Sequence, residues 1–184
     1  MASKKTRSVK SYLTARARTK PSVPALYAYE YVISTRNYNS VLDWGAGKGE
    51  DILFFKEKGL RVRGYDPHFL PVKPKRNIKF DCVMCTYVIN TLTRTEERLA
   101  CIRNARKYLR RNGRMIITVR SDSEIAYEVG ANDWVSHNDG WLTNAGTFQK
   151  GFNVVELSKL VTEAGATAIS CQKISGGVLV VASK

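Results

Sequence analysis

The chain contains no run of about 20 consecutive apolar residues, the length a membrane helix needs. Ahead of Glu30 it also lacks the apolar stretch of about 7 to 15 residues that marks a secretory signal. A secreted or membrane-spanning product is therefore not expected, and the expected location is cytoplasmic. Acidic residues are scarce: 16 Asp+Glu face 30 Lys+Arg, for a net charge of +14 and none of the acids before Glu30. Residues 1–20 hold Lys4, Lys5, Arg7, Lys10, Arg16, Arg18 and Lys20. Such a field attracts polyanions and releases their counterions, so nucleic acid is the expected partner, with residues 1–20 as a basic arm on phosphate. The alternatives are a solvated tail and, by composition, an organelle transit peptide, which nothing else in the chain supports. Cysteine is also sparse: Cys82, Cys85, Cys101 and Cys171. Cys82 and Cys85 sit three apart in an apolar run that reads as a strand, so they point to opposite faces and cannot share a metal or a disulfide. Buried thiols in a reducing compartment are expected, with no metal site.

What is present is the composition of one globular domain: 184 residues, 43% hydrophobic and 25% charged, enough for a single core. After the arm, Pro21 and Pro24 bound a helical pattern over Ala25 to Ser34. Strands and helices then alternate: a strand at Ser40–Trp44, a helix at Gly49–Lys58, a strand at Arg61–Asp66, and another at Phe80–Val88. Thr93 with Glu96 reads as the capping box of a helix that Gly113 stops. Met115–Val119 is a short buried strand, and Asn153 with Glu156 opens a helix that Gly165 closes. Thr167–Ile174 and Val178–Ala182, joined at Ser175-Gly176-Gly177, form an antiparallel hairpin. The expectation is an α/β fold, a doubly wound, mostly parallel sheet spanning 21–184. Residues 121–152 break the pattern and read as a long functional loop on the substrate side.

The sharpest local feature is Val41-Leu42-Asp43-Trp44-Gly45-Ala46-Gly47-Lys48-Gly49, an apolar strand that runs into three alternating glycines and a helix. Glycines there let the backbone pass close under a ligand, and the helix N-terminus offers unpaired N–H groups. The G-x-G-x-G spacing is neither the dinucleotide fingerprint nor a phosphate-binding loop. Asp66 follows Gly49 by 17 residues, where a neighbouring parallel strand would deliver a carboxylate able to accept both hydroxyls of a ribose. Asp43, the glycines and Asp66 together resemble the S-adenosylmethionine-dependent methyltransferases of the Rossmann-like class, from about Val41 to the end of the chain. That resemblance implies S-adenosylmethionine as cofactor, the bend of Asp43, Gly45, Ala46, Gly47 and Gly49 near its methionyl part, and Asp66 on its ribose. Phe80–Tyr87 resembles the family's fourth strand, which places Cys85 and Thr86 near the methyl group.

A narrower resemblance lies in Gly64-Tyr65-Asp66-Pro67-His68-Phe69, Tyr87-Val88-Ile89-Asn90, Glu97-Arg98, Val119-Arg120, Asp139-Gly140 and Gly146-Thr147-Phe148-Gln149-Lys150. Together these are similar to methyltransferases associated with DNA phosphorothioation, which implies DNA as the acceptor. Two departures accompany it. Only 14 residues separate Asp66 from Asp81, and Pro67, Pro71 and Pro74 leave no room for the usual helix and third strand, so that edge strand is expected to be missing. Adenine contacts then fall to Pro67, His68 or Phe69, or are absent, and His68 reads first as an exposed turn residue and second as a stacking partner. The chain also lacks the Pro-Pro-Tyr-type tetrapeptide and the Pro-Cys nucleophile of base methyltransferases, so proximity-driven in-line transfer without a dedicated base is expected. Assistance, if any, would come from Tyr87 and Asn90 at the fourth strand's end, or from His137, Asp139, Thr147, Gln149 and Lys150. Trp134, Trp141 and Phe148 read equally as base-stacking or sheet-covering. The competing functions are methylation of a small molecule or protein, and a non-catalytic nucleic-acid-binding module.

Overall fold

The computed structural model describes residues 9–184, so Lys4, Lys5 and Arg7 of the expected arm lie outside the described residues. One six-stranded sheet organises the chain, in the order β2-β1-β3-β4-β9-β8. Strands β1 (Ser40–Trp44), β2 (Arg61–Tyr65), β3 (Phe80–Thr86) and β4 (Leu109–Val119) pair in parallel. The final strand β9 (Gly177–Ser183) is antiparallel to both β4 and β8 (Thr167–Ile174), the hairpin read from the sequence. The edge strand after β2 is missing, as the three prolines require: between Asp66 and Phe80 the only pairing is an isolated bridge from Asp66 to Leu70.

Alternation along the strands sorts the core into two layers. Leu42, Val83, Cys85, Ile117 and Val180 face α3 (Thr95–Arg106) and α5 (Val154–Glu163), whereas Val41, Cys82, Met84, Ile116 and Leu179 face α1 (Val23–Ala28) and α2 (Glu50–Glu57). Cys82 and Cys85 thus lie on opposite faces, as a period of two demands. Among the described residues no helix is long and apolar enough to cross a membrane.

Three readings of the sequence are corrected. The cap of α3 is built by Glu97, not Glu96: its carboxylate accepts from the Arg94 N–H and the Thr93 hydroxyl, each at 3.2 Å. That helix ends at Arg106 instead of Gly113, and Leu109 already pairs with Phe80. Gly113 is needed for close approach, because a Cβ there would lie 2.6 Å from the Asp81 carbonyl oxygen. The third correction concerns residues 121–152, which are not a loop. They form α4 (Asp122–Ala131) and a small antiparallel sheet of β5 (Val135–His137), β6 (Gly140–Leu142) and β7 (Phe148–Gln149). A signal for the helix was present: the Ser121 hydroxyl accepts from the Glu124 N–H at 3.1 Å, a Ser-x-x-Glu start.

This meander is fastened to the domain by Arg98, whose side chain is 1% exposed. The guanidinium grips Asp139 through two bonds of 2.5 and 2.7 Å, donates twice to the Leu92 carbonyl, and lies over the Phe148 and Phe152 rings. Hydrogen bonding from Arg98 holds the Asp139 carboxyl below its usual range. Replacing Asp139 by Ala leaves a buried cation unpaired and should cost about 2 kcal/mol, discounted from the fully buried case for the carboxylate's partial exposure. Because the folded pKa is depressed, the wild-type advantage is complete above the unfolded value near 3.8 and fades as pH falls through the folded one. Urea denaturation of both proteins at pH 7 and pH 3 measures it.

Candidate active site

Parallel strands end at one edge of the sheet, and where β1 and β3 diverge an open α/β sheet leaves a crevice. A cleft of about 770 Å³ occupies that position, lined among others by Asp43, Gly45, Gly47, Asp66, Pro67, Phe69, Thr86, Tyr87 and Asn90. The bend after β1 turns through three left-handed glycines, Gly45 (φ 87°), Gly47 (φ 53°) and Gly49 (φ 93°). At Gly45 space alone forbids any side chain, because a Cβ would meet Val88 Cγ2 at 2.2 Å.

Asp66 ties this bend to the second strand. Its Oδ2 accepts from the Gly47 N–H at 3.1 Å, while Oδ1 accepts from the N–H groups of His68 and Phe69 at 2.9 and 3.0 Å. The carboxylate the sequence placed opposite the glycines is in contact with them. Asp43 lies beneath, 3% exposed. Burial, reinforced by Asp51, raises its pKa to about 7.

Two expected site residues lie elsewhere. Cys85 is fully buried in the layer facing α3, where hydrogen bonding to the Cys101 thiol and burial push its pKa up, and it does not line the cleft. The parity of β3 explains this: Thr86 lines the cleft and its neighbour must face the other way. His68 is exposed and stacks on Tyr12 at 4.2 Å between ring centroids, leaving Pro67 and Phe69 on the cleft wall.

At the far side, Tyr87 adopts φ 55° at the end of β3, with its N–H on the Thr118 carbonyl at 2.8 Å. Burial and Glu124 raise its pKa. Asn90 donates to Gln149 Oε1 at 3.0 Å, and its Oδ1 and Thr86 Oγ1 are buried without a partner. Thr147 and Gln149 join the lining; His137, Asp139 and Lys150 do not, and Lys150 is spent on Glu156 at 2.8 Å. Of the three aromatics, Trp134 lines the cleft, Phe148 is buried against Arg98, and Trp141 is half-buried in β6.

The sequence reading missed the roof. Residues 11–16, including a short turn at Ser11–Thr14, lie across the glycine bend, with Ala15 Cβ 3.3 Å from where a Gly47 Cβ would be. Lys10 N–H bonds the Gly146 carbonyl at 3.2 Å, and Arg18 pairs with Asp51 at 3.1 Å. The described part of the arm is therefore packed over the cleft. Arg120, held by Glu124 at 2.8 Å, was also overlooked as lining. Six acidic and four basic side chains line the cleft among the described residues.

The sequence profile described as a methyltransferase domain matches residues 6–170. No curated protein matches the chain. Three solved structures share the fold. A 1,6-didemethyltoxoflavin-N1-methyltransferase of Burkholderia thailandensis, bound to 1,6-didemethyltoxoflavin and S-adenosylhomocysteine, is 20% identical over 88% of this chain and 78% of its own, with a TM-score of 0.64. A sugar N-methyltransferase of Streptoalloteichus is 16% identical over 94% and 91%, TM-score 0.65. A S-adenosylmethionine-bound amino pentose methyltransferase of Micromonospora echinaspora is 14% identical over 87% and 90%, TM-score 0.56.

Asp43 gives a test that needs no ligand. An unfolded Asp loses its proton near pH 3.8, whereas the folded chain keeps Asp43 protonated to about pH 7, so stability should fall as pH rises between those values and level off above. Asp43→Asn removes that slope and should raise the melting temperature at pH 8 by about 5 °C, read by calorimetry.

Proposed function

The chain belongs to the methyltransferase-domain family, and from that premise we propose that it transfers the methyl group of S-adenosylmethionine to a small acceptor enclosed between the N-terminal roof and the β5–β7 meander. The observation that carries this reading is the Asp66 carboxylate bonded to the Gly47 N–H at the lip of an open cleft. S-adenosylmethionine is the cofactor, and when bound it supplies an electrophilic methyl on a sulfonium. The residues present fit it: a bend at Gly45 that admits no side chain, and buried Thr86 and Asn90 oxygens in want of partners.

In this reading Asp66 receives a ribose hydroxyl on the open lone pair of Oδ2, Gly45 to Gly49 pass under the methionyl part, and Pro67 and Phe69 flank the adenine. Asp43 answers the positive charge from below. Thr86, Tyr87 and Asn90 border the acceptor. Tyr87, its pKa raised, stays protonated at neutral pH and donates a hydrogen bond; it is not a base. Holding the acceptor in line and shutting out water beneath residues 11–16 provide the acceleration. Glu124, with Oε2 buried and unpartnered, is placed to take the proton the acceptor releases. The acidic lining suits a neutral acceptor or an amine.

A nucleic-acid acceptor, DNA first, is the second reading. It is favoured by the net charge of +14 and by the segments similar to phosphorothioation-associated methyltransferases. The carboxylates around the cleft count against a phosphodiester there. Incubation with tritiated cofactor and separate metabolite, protein, DNA and RNA pools separates the two: label in DNA or RNA alone would retire the small-acceptor reading.

Calorimetry tests the cofactor site. Wild type should release heat with S-adenosylmethionine, Asp66→Ala should weaken binding about tenfold or more, and Gly45→Val should abolish it. A cation above Asp43 favours its ionised form, so affinity should climb with pH up to about 7 and then plateau, a dependence absent in Asp43→Asn.

A further inference from the structure

The charge of this protein is segregated in a way the sequence conceals. Residues 73–81 and 103–114 carry ten Lys or Arg and a single acid, Asp81. They are brought together at the N-terminal ends of β3 and β4, the edge of the sheet opposite the cleft. Lys79 Nζ bridges the two segments by donating to the Lys107 carbonyl at 2.6 Å and to the Arg76 carbonyl at 3.1 Å. Lys184 reaches the same place, on the Leu109 carbonyl at 3.3 Å.

Two features make this a built surface. The register jumps between Phe80↔Leu109 and Cys82↔Arg114, so β4 bulges at 110–113 and leaves Arg110 and Arg111 exposed, Arg110 reaching back to Asp81. The bulge is fixed by the Tyr38 hydroxyl on the Asn112 carbonyl at 2.6 Å and by Gly113 against Asp81. Moreover, Lys79, Arg103, Arg114 and Lys184 donate to backbone carbonyls, which hold position without cancelling charge. Asp81 is the one carboxylate in the two segments, and Arg110 and Ser40 already occupy it. Like charges held together by structure repel one another, and an external polyanion relieves that repulsion.

We propose that this edge docks the phosphodiester backbone of nucleic acid, and that the docked strand tethers the enzyme without being its substrate. Arginine predominates in 103–114, with bidentate geometry for phosphate. The exposed large apolar side chains nearby, Val72 and Ile78, are aliphatic, without the Trp or Phe anchors of a membrane-surface protein. The seven residues of β3 separate the patch from the cleft by roughly 20 Å at ~3.3 Å per residue, too far for a docked duplex to insert a base into the same molecule's cleft. The inference does not rest on methyl transfer.

Anisotropy with a labelled mixed-sequence DNA duplex, over a salt series and using the full chain, tests it. Arg76→Glu with Arg111→Glu, both exposed, should weaken binding about tenfold and lower the slope of log K against log salt by about two. Melting temperature and heat of cofactor binding should be unchanged. Arg16→Glu with Lys20→Glu, at the cleft end, should shift affinity by less than about twofold. Loss of binding in that second pair, with the first pair unaffected, would return the contact to the arm and overturn the proposal. So would the absence of duplex binding by wild type, or equal binding to phosphatidylserine vesicles.

Discussion

A single carboxylate organises the catalytic end of this molecule. Asp66 spends one oxygen on the Gly47 N–H and the other on the turn that follows β2, so it clamps the bend after β1 to the start of the shortened connection. Without that clamp, three left-handed glycines would be a floppy stretch whose backbone entropy resists any fixed shape. With it, the bend stays open beside Val88, and the cleft floor is set before any ligand arrives. The missing third strand makes this more important, because β2 has no outer neighbour to hold its end.

The walls of the cleft are borrowed from distant parts of the chain. Arg98, on a helix that does not line the cleft, fastens the meander that carries Thr147 and Gln149 through Asp139 and the Phe148 ring. The N-terminal segment closes the other side by pairing Arg18 with Asp51 and Lys10 with Gly146. Arg18 is thereby neutralised by Asp51, whereas residues 73–81 and 103–114 gather ten Lys or Arg at the opposite edge of the sheet.

Much of this was legible in the sequence because it rests on local rules. Continuous apolar runs gave the central strands, the Ser175-Gly176-Gly177 link gave the hairpin, and the prolines after Asp66 excluded the third strand. The glycine spacing and Asp66 sat on adjacent parallel strands whose lengths fixed their meeting. The period of two along Phe80–Val88 would have turned Cys85 away from the face that carries Thr86. Ser121 with Glu124 likewise held the signal for α4 within a segment that looked like a loop.

Other features had no local signature. That His68 stacks on Tyr12 and that the arm folds back over the bend depend on groups some tens of residues away in sequence, and the rise of Asp43 to about 7 depends first on its burial. A count of charges fixed the total of +14 but not its direction, because only the sheet brings 73–81 beside 103–114. By itself the sequence determined the methyltransferase-domain family, the strands of the main sheet and the glycine bend, all written in neighbouring residues. Tertiary structure decided which charges face the cleft, since Coulomb fields and burial are set by distance in space and not along the chain.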